Sequence, residues 1–95
     1  MKVSEINYQI IANYLRLYDV SDEDKTLLSS LIEIAKSFIK ENTGIKDLDE
    51  FNDLVIVVFI LVQDMYDNRT LYVDNTNLNK VVESIIGMHS LGNIC

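Results

Sequence analysis

The sequence predicts an all-α protein, a single domain over residues 1–95 built as a compact bundle of four main helices. Three observations favour this fold class. The chain has no proline and only three glycines, the residues that usually mark turns and strand ends. Apolar residues recur at three- and four-residue spacing through most of the chain. No Asn-Gly or Asp-Gly hairpin signal occurs.

The first predicted helix covers residues 5–17, with Ser4 as the N-cap that accepts a first-turn amide. Helical spacing predicts one apolar stripe on it, with Ile11 and Tyr18 at the edge of that stripe. The stripe consists of Ile6, Ile10, Tyr14 and Leu17.

The second predicted helix covers residues 22–42 and has the clearest signals. Ser21 with Asp24 three residues later is an N-terminal cap, and the acids of the first turn complement the helix dipole. Gly44 is a natural end, because glycine adopts the left-handed conformation without penalty. The predicted core face consists of Leu27, Leu28, Leu31, Ile32, Ile34, Ala35, Phe38 and Ile39.

The third predicted helix covers residues 50–68, with Asp47 or Asp49 as its cap. It contains the run LVIVVFILV, in which five of nine residues are β-branched, so a buried strand is the competing interpretation. The apolar pattern continues at helical spacing through Met65 and Tyr66, and no turn signals bracket the run. These two features favour a helix.

A loop over residues 70–76 leads to the fourth predicted helix, residues 77–88, and the last residues are expected to fray. Its predicted apolar face consists of Leu78, Val81, Val82, Ile85 and Ile86.

The third helix is apolar on two sides. Its main face runs from Phe51 to Tyr66, while Ile56, Val57 and Ile60 fall among polar residues on the other side. Such a helix is either central in its own domain or covered by another chain. Both explanations stay open on the residues alone.

The composition limits the classes of function. A net charge of −7 without a basic stripe disfavours tight binding to nucleic acid, although DNA could still slide past such a surface. The single cysteine, Cys95, cannot form a disulfide within the chain, which fits a reducing compartment. The start MKVSEINYQ lacks an apolar signal core, and the longest apolar run is too short for a bilayer. We therefore expect a cytoplasmic protein without a membrane segment.

No constellation for catalysis, metal binding or a cofactor emerges. His89 is the only histidine, and we expect it to be solvated at a helix end. The acidic residues 19–24 lack the ligand spacing and glycine of a calcium loop, and helix capping explains them. No phosphate-binding glycine loop or nucleophile elbow occurs. The prediction is a protein that is not an enzyme.

Three segments carry a resemblance to a known family. They are VSEINYQIIANYLRLYDVSDEDKTLLSSLIEIAKSFIKENTG (residues 3–44), LVIVVFILVQDMYDNRT (residues 54–70) and LNKVVESIIGMHSL (residues 78–91). In order and spacing they resemble, respectively, the first two helices, the third helix and the last helix of phage head–tail connectors. These are the adaptor or head-completion proteins beneath the portal of long-tailed phages and prophages. The resemblance covers nearly the whole chain, although this chain ends sooner after its last helix.

The resemblance implies a non-enzymatic, all-α virion protein made in the host bacterial cytoplasm. It implies a homo-oligomeric ring of about twelve subunits, which requires a head-to-tail interface. The implied partners are the portal protein and a downstream connector or tail protein, with DNA passing through the channel without specific binding. Tyr66, Asn68 and Arg69 match the end of the family's third helix, where they line an interface or the channel. With Ile56, Val57 and Ile60 they form the predicted subunit interface.

Two other functions remain as alternatives. A small helical regulatory adaptor would bind one protein helix in a groove between helices two and three. A helix-turn-helix regulator would bind DNA, but the missing basic recognition helix argues against it.

Overall fold

The computed structural model describes residues 1–74 and 77–90, and within them it confirms an all-α bundle of four helices. The last residues, for which fraying was predicted and which include Cys95, lie outside the described residues. The helices are α1 (Tyr8–Tyr14), α2 (Asp22–Thr43), α3 (Asp53–Asn68) and α4 (Lys80–Ser90). Short 3-10 turns, Val3–Glu5 and Leu48–Glu50, precede α1 and α3 and contact each other.

The run of β-branched residues is helical, as predicted, and forms the centre of the bundle. α3 contacts α1, α2, α4 and the first 3-10 turn. Its buried residues recur every three or four positions, which makes one continuous stripe along the helix. They are Leu54, Val57, Val58, Leu61, Val62 and Met65. A central position therefore accounts for most of the apolar surface of α3.

The ends of α2 follow the local signals in its sequence. The Ser21 hydroxyl accepts a hydrogen bond from the amide of Asp24, and the Asp24 carboxylate accepts one from the amide of Ser21. Gly44 ends the helix in the left-handed conformation, at φ 73°. Six of the eight predicted core residues of α2 are buried, while Leu27 and Ile34 are partly buried at the edges. Both ends of α2 and most of its buried face therefore match the prediction.

We expect Gly44→Ala to lower the free energy of unfolding by about 1–2 kcal/mol, because an L-residue with a β-carbon is strained at this φ. Gly87→Ala is the matched control, since a β-carbon there meets nothing within 4 Å outside its own helix and immediate neighbours. That change should raise the unfolding free energy by about 0.5–1 kcal/mol. Urea denaturation measures both, and an equal effect of the two substitutions would contradict the assignment of Gly44.

α1 is shorter than predicted and rotated about its axis. Asn7, not Ser4, is the N-cap, and its side-chain oxygen accepts from the amide of Ile10 at 3.0 Å. Ile11 and Ala12 are buried, whereas Tyr14, predicted on the core stripe, is 42% exposed. The prediction for this helix was therefore wrong in its start and in its face.

The physical reason for the late start of α1 is a contact between distant segments. The amide of Ser4 donates to the Asp49 carboxylate at 2.8 Å, which joins the two 3-10 turns. Val3 and Ile6 are buried on either side of Ser4. This docking holds residues Val3–Glu5 outside the α-helix.

α3 and α4 also begin three residues later than predicted. Asp47 does cap an N-terminus, but that of the 3-10 turn Leu48–Glu50, where its carboxylate accepts from the amide of Asp49 at 3.1 Å. In α4, Val82 and Ile86 are buried as predicted. Val81, predicted on the same face, is 50% exposed, so the buried face of α4 is narrower than the sequence pattern indicated.

Candidate functional site

The outer side of α3 carries most of the predicted subunit interface, and the structure divides the six residues into three groups. Ile56 is 52% exposed and Ile60 is partly buried. Tyr66 is partly buried, while Asn68 and Arg69 are exposed at the end of the helix. Val57 is completely buried. The assignment of Val57 to an interface was therefore wrong, and the other five residues remain accessible.

Helix geometry explains why Val57 and Ile56 differ. Successive residues of an α-helix are about 100° apart, so adjacent side chains face different surroundings. Val57 lies three residues after Leu54 and so shares the stripe that faces the core. Ile56 lies on the opposite side, close to Asn52, which is exposed.

Tyr14 extends the exposed apolar surface from α3 onto α1. Its ring centroid lies 4.9 Å from that of Phe59, and its hydroxyl donates to Oε1 of Gln63 at 3.0 Å. Phe59 and Ile60 follow Ile56 at three and four residues, so all three share one side of α3. We call Tyr14, Ile56, Phe59 and Ile60 the α3 outer patch.

A polar rim surrounds the α3 outer patch. Asn52 and Asp67 are exposed on the same side of the helix, and Gln63 is held by Tyr14. An apolar centre with a polar rim is the usual composition of a protein–protein interface. The patch can therefore bury apolar area against another protein surface.

The residues at the C-terminal end of α3 have defined roles within the chain. Arg69 ends the helix in the left-handed conformation, at φ 56°, and its guanidinium carbon lies 5.6 Å from the centroid of the Tyr66 ring. The amide group of Asn68 donates to the Asp64 carbonyl at 2.8 Å. These contacts fix the end of α3 and hold the Arg69 charge at the surface.

Asp64 faces a small cavity of about 150 Å³ between the end of α3 and the segment that follows it. Burial raises the pKa of the Asp64 carboxyl, and the negative charge of Asp67, one helical turn on, raises it further. Asn68, Thr70 and Asn77 also line the cavity. Among the described residues, no group of three or more His, Cys, Asp or Glu side chains is placed to hold a metal ion.

We expect Asp64→Asn to raise the melting temperature at pH 7. A raised pKa means that the folded state prefers the protonated carboxyl. This contribution to stability is complete below the ordinary value of 3.8 and is lost as the pH rises through the folded-state pKa. The asparagine side chain does not ionise, so the variant should be more stable than the parent chain at pH 7 and about equally stable near pH 3.

Thermal melts at both pH values test this prediction, with Asp67→Asn as the control. Asp67 is exposed, so its substitution removes the repulsion but not the cost of burying Asp64. The gain should therefore be smaller for Asp67→Asn. Equal gains for Asp64→Asn at the two pH values would contradict the assigned cause.

His89 is not solvated, in contrast to the prediction. Its Nε2 lies 3.0 and 3.1 Å from the two carboxylate oxygens of Asp53, and its side chain is only 14% exposed. Its ring also meets the Phe51 ring edge-on, with centroids 4.6 Å apart. His89 therefore joins α4 to the start of α3. The sequence contained no signal for this pair, because 36 residues separate its members.

None of the helices within residues 1–74 and 77–90 combines the length and apolar character needed to cross a membrane. Comparisons with protein-family models, curated protein sequences and solved structures gave no match.

Proposed function

We propose that the protein is a structural virion protein of the phage head–tail connector type. Copies of the chain would form a ring beneath the portal, extend the DNA channel and join the head to the tail. The α3 outer patch carries this proposal, because Ile56 is 52% exposed at the centre of a helix whose other side organises the core. Burying this surface against another copy would recover apolar area that the single chain leaves in water.

The charge of the chain supports the same proposal. A net charge of −7 repels the DNA phosphates, so a channel built from such chains lets DNA pass without gripping it. The proposed partners are other copies of the chain, the portal protein and a downstream connector or tail protein. The proposed role is not enzymatic, and its proposed place is the head–tail junction of the virion.

Native mass spectrometry over a concentration series tests this function, together with negative-stain electron microscopy. We expect oligomers that grow with concentration and ring-shaped particles of uniform size. A chain that stays monomeric at every concentration, alone and mixed with a portal ring, would exclude the connector function. No stable binding to duplex DNA is expected in a gel-shift control, because the negative charge of the chain repels the phosphates, whereas tight binding would favour a DNA regulator.

One observation favours the alternative of a small regulatory adaptor. Leu71 and Tyr72 are each 63% exposed and border a groove of about 440 Å³ against Ile34 and Phe38 of α2. This groove lies between α2 and the segment after α3, not between the second and third helices as predicted. It could accept the apolar side of one partner helix. An adaptor would remain a monomer or dimer in the same concentration series.

A further inference from the structure

The α3 outer patch cannot build a ring by pairing with itself. When the same patch of two copies meets, the contact is isologous, closes as a dimer and leaves no surface for a third copy. A ring needs a head-to-tail contact, in which one surface of a copy meets a different surface of the next. The proposed ring therefore requires a second surface on the same chain.

The groove that Leu71 and Tyr72 border is a surface of the required kind. Ile34 and Phe38 of α2 also line it, and we call these four residues the α2 groove. None of the four belongs to the α3 outer patch, which lies on α1 and α3. The two surfaces are therefore distinct, as a head-to-tail contact requires.

The segment after α3 is held in place, so the groove is formed in the single chain. The amide of Thr70 donates to the Met65 carbonyl at 3.0 Å, and Val73 packs partly buried against the core. Leu71 and Tyr72, which lie between these two anchors, are each 63% exposed. The α2 groove therefore presents apolar side chains to water, as the α3 outer patch does.

The shapes of the two surfaces are complementary. The α3 outer patch is the convex side of a helix, with Ile56, Phe59 and Ile60 at spacings of three and four residues. The α2 groove is a concave space of about 440 Å³ between two elements. An apolar helix side of this spacing in an apolar groove is a common mode of protein recognition. The exposed Met88, by contrast, lies on a surface lined by α4 alone, which offers a helix no groove.

The polar groups beside the two surfaces have similar spacing. Glu33 and Glu41 also line the groove and lie roughly 12 Å apart along α2. Asn52 and Gln63 flank the α3 outer patch and lie roughly 16 Å apart along their helix. Amide groups donate hydrogen bonds and carboxylates accept them, so each end of the patch can bond to one end of the groove.

The contacts within the chain leave these groups oriented for such bonds. Oε1 of Gln63 accepts from the Tyr14 hydroxyl, so its amide nitrogen points away from that bond. The side chain of Asn52 makes no capping hydrogen bond to α3. Lys36 lies 3.8 Å from Oε1 of Glu33, whose side chain is 73% exposed. Bonds from neutral amides do not depend on a net charge difference between the surfaces.

We propose that the α3 outer patch of one copy binds in the α2 groove of the next copy. This inference rests on the proposed ring and names the second surface of its contact. Burial of apolar area supplies the main attraction, and the polar groups at the rim set the register.

Three matched substitutions test the contact, each placing one carboxylate at an exposed apolar residue. Ile56→Asp blocks the patch, Leu71→Asp blocks the groove, and Val81→Asp is the control on α4, at a residue 50% exposed. We expect each of the first two to raise the dissociation constant for self-association by about tenfold or more, because the contact would bury an unpaired charge. The control should assemble nearly as well as the parent chain. Circular dichroism melts confirm folding, and sedimentation velocity measures assembly.

Mixing the two blocked variants distinguishes a head-to-tail contact from a patch that pairs with itself. Ile56→Asp keeps its groove and Leu71→Asp keeps its patch, so an equimolar mixture should form mixed pairs. These pairs should not grow into rings, because the remaining patch and the remaining groove both carry the added charge. The two variants have equal mass, so isotope labelling of one lets native mass spectrometry identify the mixed pairs.

The outcomes separate this inference from the proposed function. If the parent chain forms rings but Leu71→Asp assembles equally well, or the mixture gives no mixed pairs, the α2 groove is not the contact and the connector function stands. If Val81→Asp weakens assembly as severely as Leu71→Asp, the effect is not specific to the groove and its assignment is overturned. A parent chain that never self-associates overturns both proposals.

Discussion

Replacing Val57 with Asp is expected to destabilise the protein strongly, whereas the same replacement at Ile56 is expected to leave its stability nearly unchanged. Val57 is completely buried, and Ile56 is 52% exposed. A carboxylate without a partner in the core costs roughly 3–5 kcal/mol. A small domain is stable by only about 5–15 kcal/mol, so this cost removes a large part of its stability.

Ile56→Asp tests the α3 outer patch without disturbing the core. The charged side chain remains in water in the single chain but would be buried in a contact between copies. We therefore expect normal unfolding by urea and a dissociation constant for self-association at least tenfold higher, which corresponds to about 1.4 kcal/mol. Val57→Ala serves as a milder control, because it weakens the fold without placing charge at the surface.

Both variants are measured by urea denaturation and by sedimentation velocity. A Val57→Asp variant as stable in urea as the parent chain would show that α3 is not the centre of the bundle. Ile56→Asp that folds and assembles like the parent chain would remove the α3 outer patch from the interface. The two substitutions are adjacent in sequence, so differences in helix propensity or in local charge cannot explain opposite results.

Replacing His89 with Ala is expected to lower the free energy of unfolding by about 2 kcal/mol. The substitution removes the contacts of Nε2 with the Asp53 carboxylate and the edge-on contact with Phe51. Because the histidine is mostly buried, water replaces these contacts only in part. α4 should then detach more easily from the rest of the bundle.

A double-mutant cycle with Asp53→Asn isolates the pair. The cycle should give an interaction free energy between His89 and Asp53 that stabilises the parent chain by about 1 kcal/mol or more. Hydrogen exchange then locates the effect, since amides of α4 should lose protection before those of α2. The control is Met88→Ala, because Met88 is adjacent but 66% exposed. Additive effects of the two substitutions would show that the pair does not hold α4.

The stability of α4 bears on the proposed assembly. Val81 and Met88 are exposed on α4, while Val82 and Ile86 hold it to the core. Hydrogen exchange of the assembled and single chains would show whether α4 becomes more protected in a ring. This comparison separates an effect of His89 on folding from an effect on assembly.

The sequence by itself determined the fold class, the number of helices and the bounds of α2 to within one residue. Ser21, Asp24 and Gly44 act on backbone groups within a few residues of themselves, so their effects can be predicted without the rest of the chain. Most of the buried stripe of α3 was predicted for the same reason, since helical spacing places Leu54 and Leu61 on one side, but Val57 was predicted on the other side.

Only the tertiary structure decided which side of α1 faces the core, where α1 and α3 begin, and where His89 lies. Ser4 binds Asp49 and His89 binds Asp53, over separations of 45 and 36 residues. The burial of Val57 beside the exposed Ile56 also depends on which helices cover α3. Periodicity shows that a helix has an apolar side, but contacts between distant segments determine how much of that side the chain itself covers.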